Sequence, residues 1–323
     1  LASAPADVAA FLEKYRLKSE MEQRRATDEH FELDPKLAAF LKKNFYLECQ
    51  TSSHFTGGAV DLFFLAKLKE GTDFPWLAER VLPAFCDEAS SRVHDLAIKI
   101  FKPELLEDGG YYLGEPFALG LNPHENIISE YAVIAYDTRN SSYELISNPQ
   151  KLKGSRRKPV GAVFQQGYLK TLLNVIPGPA LLSVGLGKPL EYKTILEIIY
   201  QIANALDYMQ EKGLRHCDVK ETNILVSLKP FVHAVVCDFG GVRQEPTLKK
   251  GEKDRAIHIS DYFGAPGFVP PETVLHHYHT RKSDVFSLGS ILLKCLGISI
   301  VNDMTFPEYA ASLKHFEKSL KKQ

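Results

Sequence analysis

No apolar run in this chain approaches the ~18 residues that a membrane-spanning helix needs, and the N-terminus has no basic region followed by an apolar core, so neither a span nor a secretory leader is expected within these residues. The chain begins at Leu1, which leaves an upstream targeting segment open. Charge of one sign is also missing. With 39 Lys and Arg against 40 Asp and Glu the net charge is -1, so no global basic field points to nucleic acid or to an anionic membrane. Cysteine is sparse: Cys49, Cys86, Cys217, Cys237 and Cys295 form an odd set without C-x-x-C spacing, which argues against a disulfide framework and a zinc knuckle. They read as reduced thiols of a cytoplasmic, reducing compartment. What remains is the composition of an ordinary soluble globular protein, 45% hydrophobic and 24% charged. At 323 residues the chain can bury a sizeable core in one bilobal unit or in two domains.

Two stretches carry chemistry. In GLRHCDVKETNIL, residues 213–225, an Asp (Asp218), a Lys two places on (Lys220) and an Asn five places on (Asn223) share one short loop. An Asp can accept a hydroxyl proton, a Lys can reach a phosphate oxygen, and an Asn oxygen suits a hard cation. In VVCDFGG, Asp238 follows an apolar run 20 positions after Asp218, with residues 224–227 and 233–237 readable as two strands between them. Together the stretches resemble the catalytic loop and D-F-G segment of the protein kinase superfamily. The resemblance implies an α+β, bilobal fold with a small β-rich N-lobe and a mainly helical C-lobe. It divides the chain into a helical extension at 1–44, an N-lobe at 45–166 and an abbreviated C-lobe at 167–323.

Taken in order, residues 6–25 place Val8, Phe11, Leu12 and Tyr15 at helical spacing, and Asp34-Pro35 is a helix start leading into Leu37, Phe40 and Leu41. This extension either packs on the domain or receives a regulatory partner. Residues 45–50 and 59–68 read as strands. Between them the resemblance implies a phosphate-covering loop containing Gly57 and Gly58, with Val60 against the base; the loop is poorer in glycine than the family pattern. Residues 76–84 read as an inserted helix. In HDLAIKIFKP, Ala97 and Lys99 match the family's third strand, and a lysine in an apolar alternation needs a carboxylate and a phosphate. Glu115 is the implied carboxylate partner, with Glu104 and Glu107 as substitutes. Pro116 beside it requires that its helix be short or distorted.

Residues 131–136 and 160–165 read as further strands, separated by a polar insertion at 137–159 with Lys151, Lys153, Arg156, Arg157 and Lys158. That run is either a solvated loop or a dock for an acidic partner or lipid head group. Phe164 falls at the gatekeeper position, and Gln165, Gln166 and Gly167 form the implied hinge. Ile195, Ile199, Ile202, Leu206 and Met209 step at helical spacing into the loop that carries Asp218. Beyond Asp238, residues 241–263 form a polar loop with Thr247, Ser260 and Tyr262 as possible phosphosites. GAPGFVPPE resembles the anchor that ends this loop in serine/threonine kinases, with Ala265 in place of Thr, and Asp284 matches a residue that bonds the catalytic-loop backbone.

The resemblance further implies a transferase that moves the γ-phosphate of ATP to Ser or Thr hydroxyls of a protein substrate. Asp218, Lys220, Lys99 and Glu115 would form the catalytic set. Gly57, Gly58, Val60, Ala97, Lys99, Gln165, Gly167 and Leu225 would bind the nucleotide, and Asn223 and Asp238 would hold Mg2+. Cys217 replaces an Arg that would meet a loop phosphate, which implies activity independent of loop phosphorylation. A pseudokinase scaffold and a kinase of small molecules are the alternatives. The short C-terminal lobe resembles that of some bacterial effector kinases, which would act in a host cytosol.

Overall fold

A computed structural model of the chain describes residues 33–49, 62–80, 96–101, 114–121, 123–152, 156–165, 170–171, 190–228, 230–246, 256–259, 265–298 and 305–320. The amphipathic stretch 6–25 lies outside them. The expected helix start at Asp34 is present: helix α1 (Pro35–Asn44) has Asp34 as N-cap, its Oδ1 accepting the Leu37 N–H at 2.9 Å. Pro35 occupies the first turn, where an N–H would have no intrahelical partner. Leu37 and Leu41 are buried against the sheet that follows.

That sheet has six antiparallel strands in the order β1 (Phe45–Cys49), β2 (Leu62–Leu68), β3 (Leu96–Ile100), β6 (Arg157–Gln165), β4 (Glu130–Asp137), β5 (Ser142–Ile146). A one-turn helix, α2 (Pro75–Ala78), lies at the start of the expected inserted helix. Strand β3 is buried on both faces. Leu96, Ile98 and Ile100 pack with Leu37, Leu41 and Phe45, while Ala97 packs with Ala162 and Phe164 on the opposite face. A strand covered on both sides reads as a nearly unbroken apolar run, which is why LAIKI shows no polar alternation apart from Lys99. Gly161 lies opposite Ile100 on β6, and a Cβ there would come within 2.6 Å of the Lys99 carbonyl.

The expected polar insertion at 137–159 needs correction. It contains β5, which pairs with β4 from Asp137 opposite Ser142 to Val133 opposite Ile146, and β6 already begins at Arg157. The turn after Asp137 and the alternation of Tyr143 and Leu145 favour a hairpin. Two of the basic residues are paired within the fold: Arg156 forms a two-bond pair with Asp137, and Arg157 meets Glu144 at 2.5 Å.

The second lobe is built around α4 (Tyr192–Glu211), whose Ile195, Ile198, Ile202, Ala205, Leu206 and Met209 are buried. Ile198, rather than the expected Ile199, sits at the centre of the stripe; Ile199 is only partly covered. Small ladders follow: β7 (Lys170–Thr171) with β9 (Ile224–Ser227) and β10 (His233–Val236), and β8 (Leu214–Arg215) with β11 (Arg243–Gln244). Beyond these lie β12 (Ile257–His258), α5 (Pro271–His276), β13 (Tyr278–His279), α6 (Ser283–Cys295) and α7 (Phe306–Leu320).

The two lobes are joined by backbone bonds from Ile128 N to Val236 O, 3.0 Å, and from Val236 N to Asn126 O, 2.9 Å. The Asn126 side chain adds bonds to Ala234 O and Gln201 Oε1. One hydrophobic core runs across the join, from Ala97 and Phe164 to Ile198 and Val236. The architecture is the expected α+β, bilobal one. Among the described residues no helix is long and apolar enough to cross a membrane.

Candidate active site

Strand β8 delivers the chain to Asp218 through a tightly specified turn. Cys217 sits at φ 63°, a left-handed conformation that L residues other than Gly, Asn and Asp seldom adopt. The buried carboxylate of Asp284, at the start of α6, holds that turn by accepting the N–H groups of His216 at 3.0 Å and Cys217 at 2.9 Å. Burial opposes the charge on Asp284, but His279, His216 and the Cys217 N–H outweigh it and hold the carboxyl below its ordinary range.

The His216 ring contacts the Cys237 carbonyl through Nε2 at 3.1 Å and accepts the Asp218 N–H on Nδ1 at 3.3 Å. Because a carbonyl only accepts, these two contacts assign the proton to Nε2. His216 therefore ties the segment before Asp238 to the segment before Asp218.

Asp218 is itself surrounded. Asn223 Nδ2 donates to its backbone carbonyl at 2.9 Å and to its Oδ2 at 3.0 Å, and Lys220 Nζ donates to the same Oδ2 at 2.9 Å. Burial lowers the Lys220 pKa, yet Asp218, with Asp238 and Glu221 behind it, raises it above its ordinary value. The ammonium is therefore charged at neutral pH. Asn223 is fixed by the short 3-10 turn Glu221–Asn223, and its carbonyl accepts the Cys237 N–H at 2.9 Å.

Asp238 also has a left-handed backbone, φ 63° and ψ 82°. Lys99 Nζ reaches its Oδ1 from β3 at 2.7 Å. Burial would raise the Asp238 pKa, but Lys99 and Lys220, with His216, hold it below the usual carboxylate value. Phe239 is fully buried behind it in the shared core. A one-turn helix, α3 (Glu115–Ala118), packs on this segment so closely that a Cβ on Gly114 would lie 2.3 Å from Phe239 O and 2.6 Å from Val242 N.

Residues 163–318 match the protein kinase domain family. Among curated proteins, the chain is 29% identical over 147 residues to the serine/threonine-protein kinase PknD of Chlamydia pneumoniae, an alignment covering 42% of this chain and 16% of that protein. It is 35% identical over 114 residues to a calmodulin-binding receptor-like cytoplasmic kinase 2 of Arabidopsis thaliana, covering 34% of this chain and 26% of the relative. The human dual specificity testis-specific protein kinase 1 is 28% identical over 139 residues, covering 42% and 22%. Residues 163–318 belong to the protein kinase superfamily. The chain spans well under two thirds of the length of each of these relatives.

Of the kinase residues expected from sequence, Lys99, Asp218, Lys220, Asn223 and Asp238 converge, linked by the contacts above. Ala97 lies on the face of β3 that carries Lys99, and Leu225 is half-buried on β9 against the shared core. Glu115 begins α3, a helix of only 4 residues with Pro116 in its first turn, the short form that proline requires. The side chains of Glu115 and Gln165, and the whole of Gly57, Gly58, Val60 and Gly167, lie outside the described residues, as do Glu104, Glu107, Thr247, Ser260 and Tyr262.

Asp238 and Asn223 present a carboxylate and a carboxamide oxygen, hard donors that suit a divalent cation such as Mg2+. The lowered pKa of Asp238 keeps that donor ionised. Residues around the site that sequence reasoning missed are Arg215, Glu245, His279, Arg281 and Lys294. Lys294 on α6 forms an ion pair with the buried Glu221 inside the loop that carries Asp218. Arg215, a charged residue in the otherwise apolar strand β8, was the available signal, since a buried guanidinium implies a partner.

Proposed function

We propose that this protein is an ATP- and Mg2+-dependent protein kinase that phosphorylates Ser or Thr hydroxyls. The observation that carries the reading is the Asp218 carboxylate, held by Asn223 and Lys220 and joined through His216 to the Lys99–Asp238 pair. In this reading Asp218 orients the acceptor hydroxyl and takes its proton as the oxygen bonds phosphorus and the terminal phosphate bond of ATP breaks. Lys220, charged and already on Asp218, neutralises the transferred group. Lys99, whose ammonium lies 2.7 Å from Asp238 Oδ1, would hold a nucleotide phosphate. Asn223 and Asp238 would hold Mg2+, whose chemistry is to neutralise charge on the phosphate oxygens.

Two further points support a peptide acceptor. The anchor after the polar loop is built: Glu272 accepts the Ser283 hydroxyl at 2.6 Å, and α5 packs against α7. Lys220, two residues after the Asp, is the serine/threonine pattern in the resemblance. The dual-specificity relative makes the acceptor an open comparison, so phosphoamino-acid analysis decides it.

The test is transfer of label from γ-labelled ATP with Mg2+ to the protein itself and to a generic basic protein, beside Asp218→Ala. Label on Ser or Thr that disappears in the variant is expected. Label mainly on Tyr overturns the acceptor class. No transfer from the parent protein, with a melting temperature that ATP still raises, supports a nucleotide-binding scaffold instead.

A further inference from the structure

Seven residues beyond Asp238, the carboxylate of Glu245 is buried between two arginines that are remote in sequence. Arg215, fully buried on β8, donates from Nε at 3.3 Å and Nη2 at 3.1 Å to Glu245 Oε1. Arg281, half-exposed before α6, adds a two-pronged pair, Nε to Oε1 and Nη2 to Oε2, each 3.0 Å. The Glu245 N–H bonds Gly213 O at 2.8 Å and extends the β8–β11 ladder. Planar, charge-assisted pairs of this kind fix orientation as well as adding energy.

The cluster is wired to the catalytic loop. Arg215 Nη1 donates to the His279 carbonyl at 2.5 Å, the His279 ring contacts Asp284 Oδ1 at 3.1 Å, and Asp284 accepts the N–H groups of His216 and Cys217 immediately before Asp218. Each link is buried or nearly so. A displacement of Glu245 is therefore transmitted to the residue that faces the acceptor hydroxyl.

We infer that Glu245 is a positioning residue, a built-in anion that clamps the segment after Asp238 to the catalytic loop. It does this through arginines of the kind that would otherwise receive an added phosphate. Phosphotransfer then requires no modification of that segment. This rests on the kinase reading, and it supplies a physical reason for an unmodified active form where Cys217 replaces the expected Arg.

The test uses the full chain, Glu245→Gln and Arg281→Gln. The Glu245→Gln change keeps the side-chain size and removes the charge, so kcat should fall at least ~10-fold, while KM for ATP stays within about twofold, because geometry and not nucleotide binding is disturbed. Arg281→Gln, at a half-exposed site, should fold normally and lower kcat by a smaller factor, roughly 2- to 5-fold. Phosphatase treatment of the parent protein should leave its rate unchanged. Amide hydrogen exchange should speed up in Glu245→Gln at His216, Cys217 and Asp218, not only at 243–246. An unchanged kcat, a parent rate abolished by phosphatase, or an exchange effect confined to 243–246 would each overturn the clamp. If the parent shows no transfer, the kinase reading fails separately, and the exchange measurement still decides the clamp. If Glu245→Gln does not fold, kcat and exchange in Arg281→Gln decide it.

Discussion

The two walls of this site are held by different physics. On the helical-lobe side Asp218 is fixed by a buried polar network of Asp284, His216, Asn223 and Lys220, backed by the Glu245 cluster. On the sheet side Lys99 is fixed by apolar packing. It points at Asp238 because β3 alternates, with Leu96, Ile98 and Ile100 buried in one cluster and Ala97 in the other. A polar network specifies angles and fails abruptly when a member is left unpaired; packing specifies position and fails by degrees.

That contrast can be broken first at its meeting point. Lys99→Met keeps the shape of β3 but removes the cation from Asp238, and transfer should fall roughly 10²- to 10³-fold with little change in fold by circular dichroism. Retention of most activity would mean that the two walls do not cooperate. Next, Asp284→Ala leaves two buried N–H groups and His279 without their acceptor. Denaturant unfolding should show a loss of about 3–5 kcal/mol, the scale for removing one member of a buried pair. A loss below about 1 kcal/mol would show that the loop holds itself.

Smaller effects separate close packing from open space. Gly114→Ala drives a methyl into Phe239 O and should cost about 1–3 kcal/mol and weaken Mg2+-ATP binding by displacing Asp238. Gly289→Ala on α6, where a Cβ meets nothing, should stabilise by roughly 0.5–1 kcal/mol. The two measured side by side test whether contact distance sets the sign of an added methyl.

The network should also have a pH signature. Burial disfavours the charged His279 ring, but Cys217 and Asp284 favour it and lift its pKa from 6.5 to about 10. A raised folded pKa adds stability that is complete below about 6.5 and disappears as pH rises through about 10. Asp284 has the opposite sign: its lowered pKa adds stability above the ordinary carboxylate pKa of ~3.9, lost on acidification below it. Unfolding free energy should therefore decline between pH 7 and 10, and His279→Asn should flatten that decline. An unchanged slope in the variant would place the titration elsewhere.

Legibility followed the same division. Asp218, Lys220, Asn223 and Asp238 could be read because loop chemistry depends on short spacings, and Asp284 could be read from its place after the anchor. Lys99 was readable as a lysine in an apolar strand. Strand β5 was not, because its alternation over Tyr143 and Leu145 is short and lies among basic residues that Asp137 and Glu144 neutralise only in the fold. The Glu245 cluster was hinted at only by the charge of Arg215, since Arg215, Glu245 and Arg281 are separated by 30 and 36 positions and share no local pattern. Contacts made across the fold leave composition and spacing almost unmarked.

The central claim is that Asp218 acts on the acceptor while Asp238 serves the nucleotide and metal. Its most direct test measures Mg2+-ATP affinity and transfer rate for Asp218→Asn beside Asp238→Asn. Asp218→Asn should bind Mg2+-ATP within about threefold of the parent and lose transfer by ~10²-fold or more, whereas Asp238→Asn should lose the Mg2+-dependent part of binding. An Asp218→Asn variant that transfers phosphate at the parent rate would contradict the account.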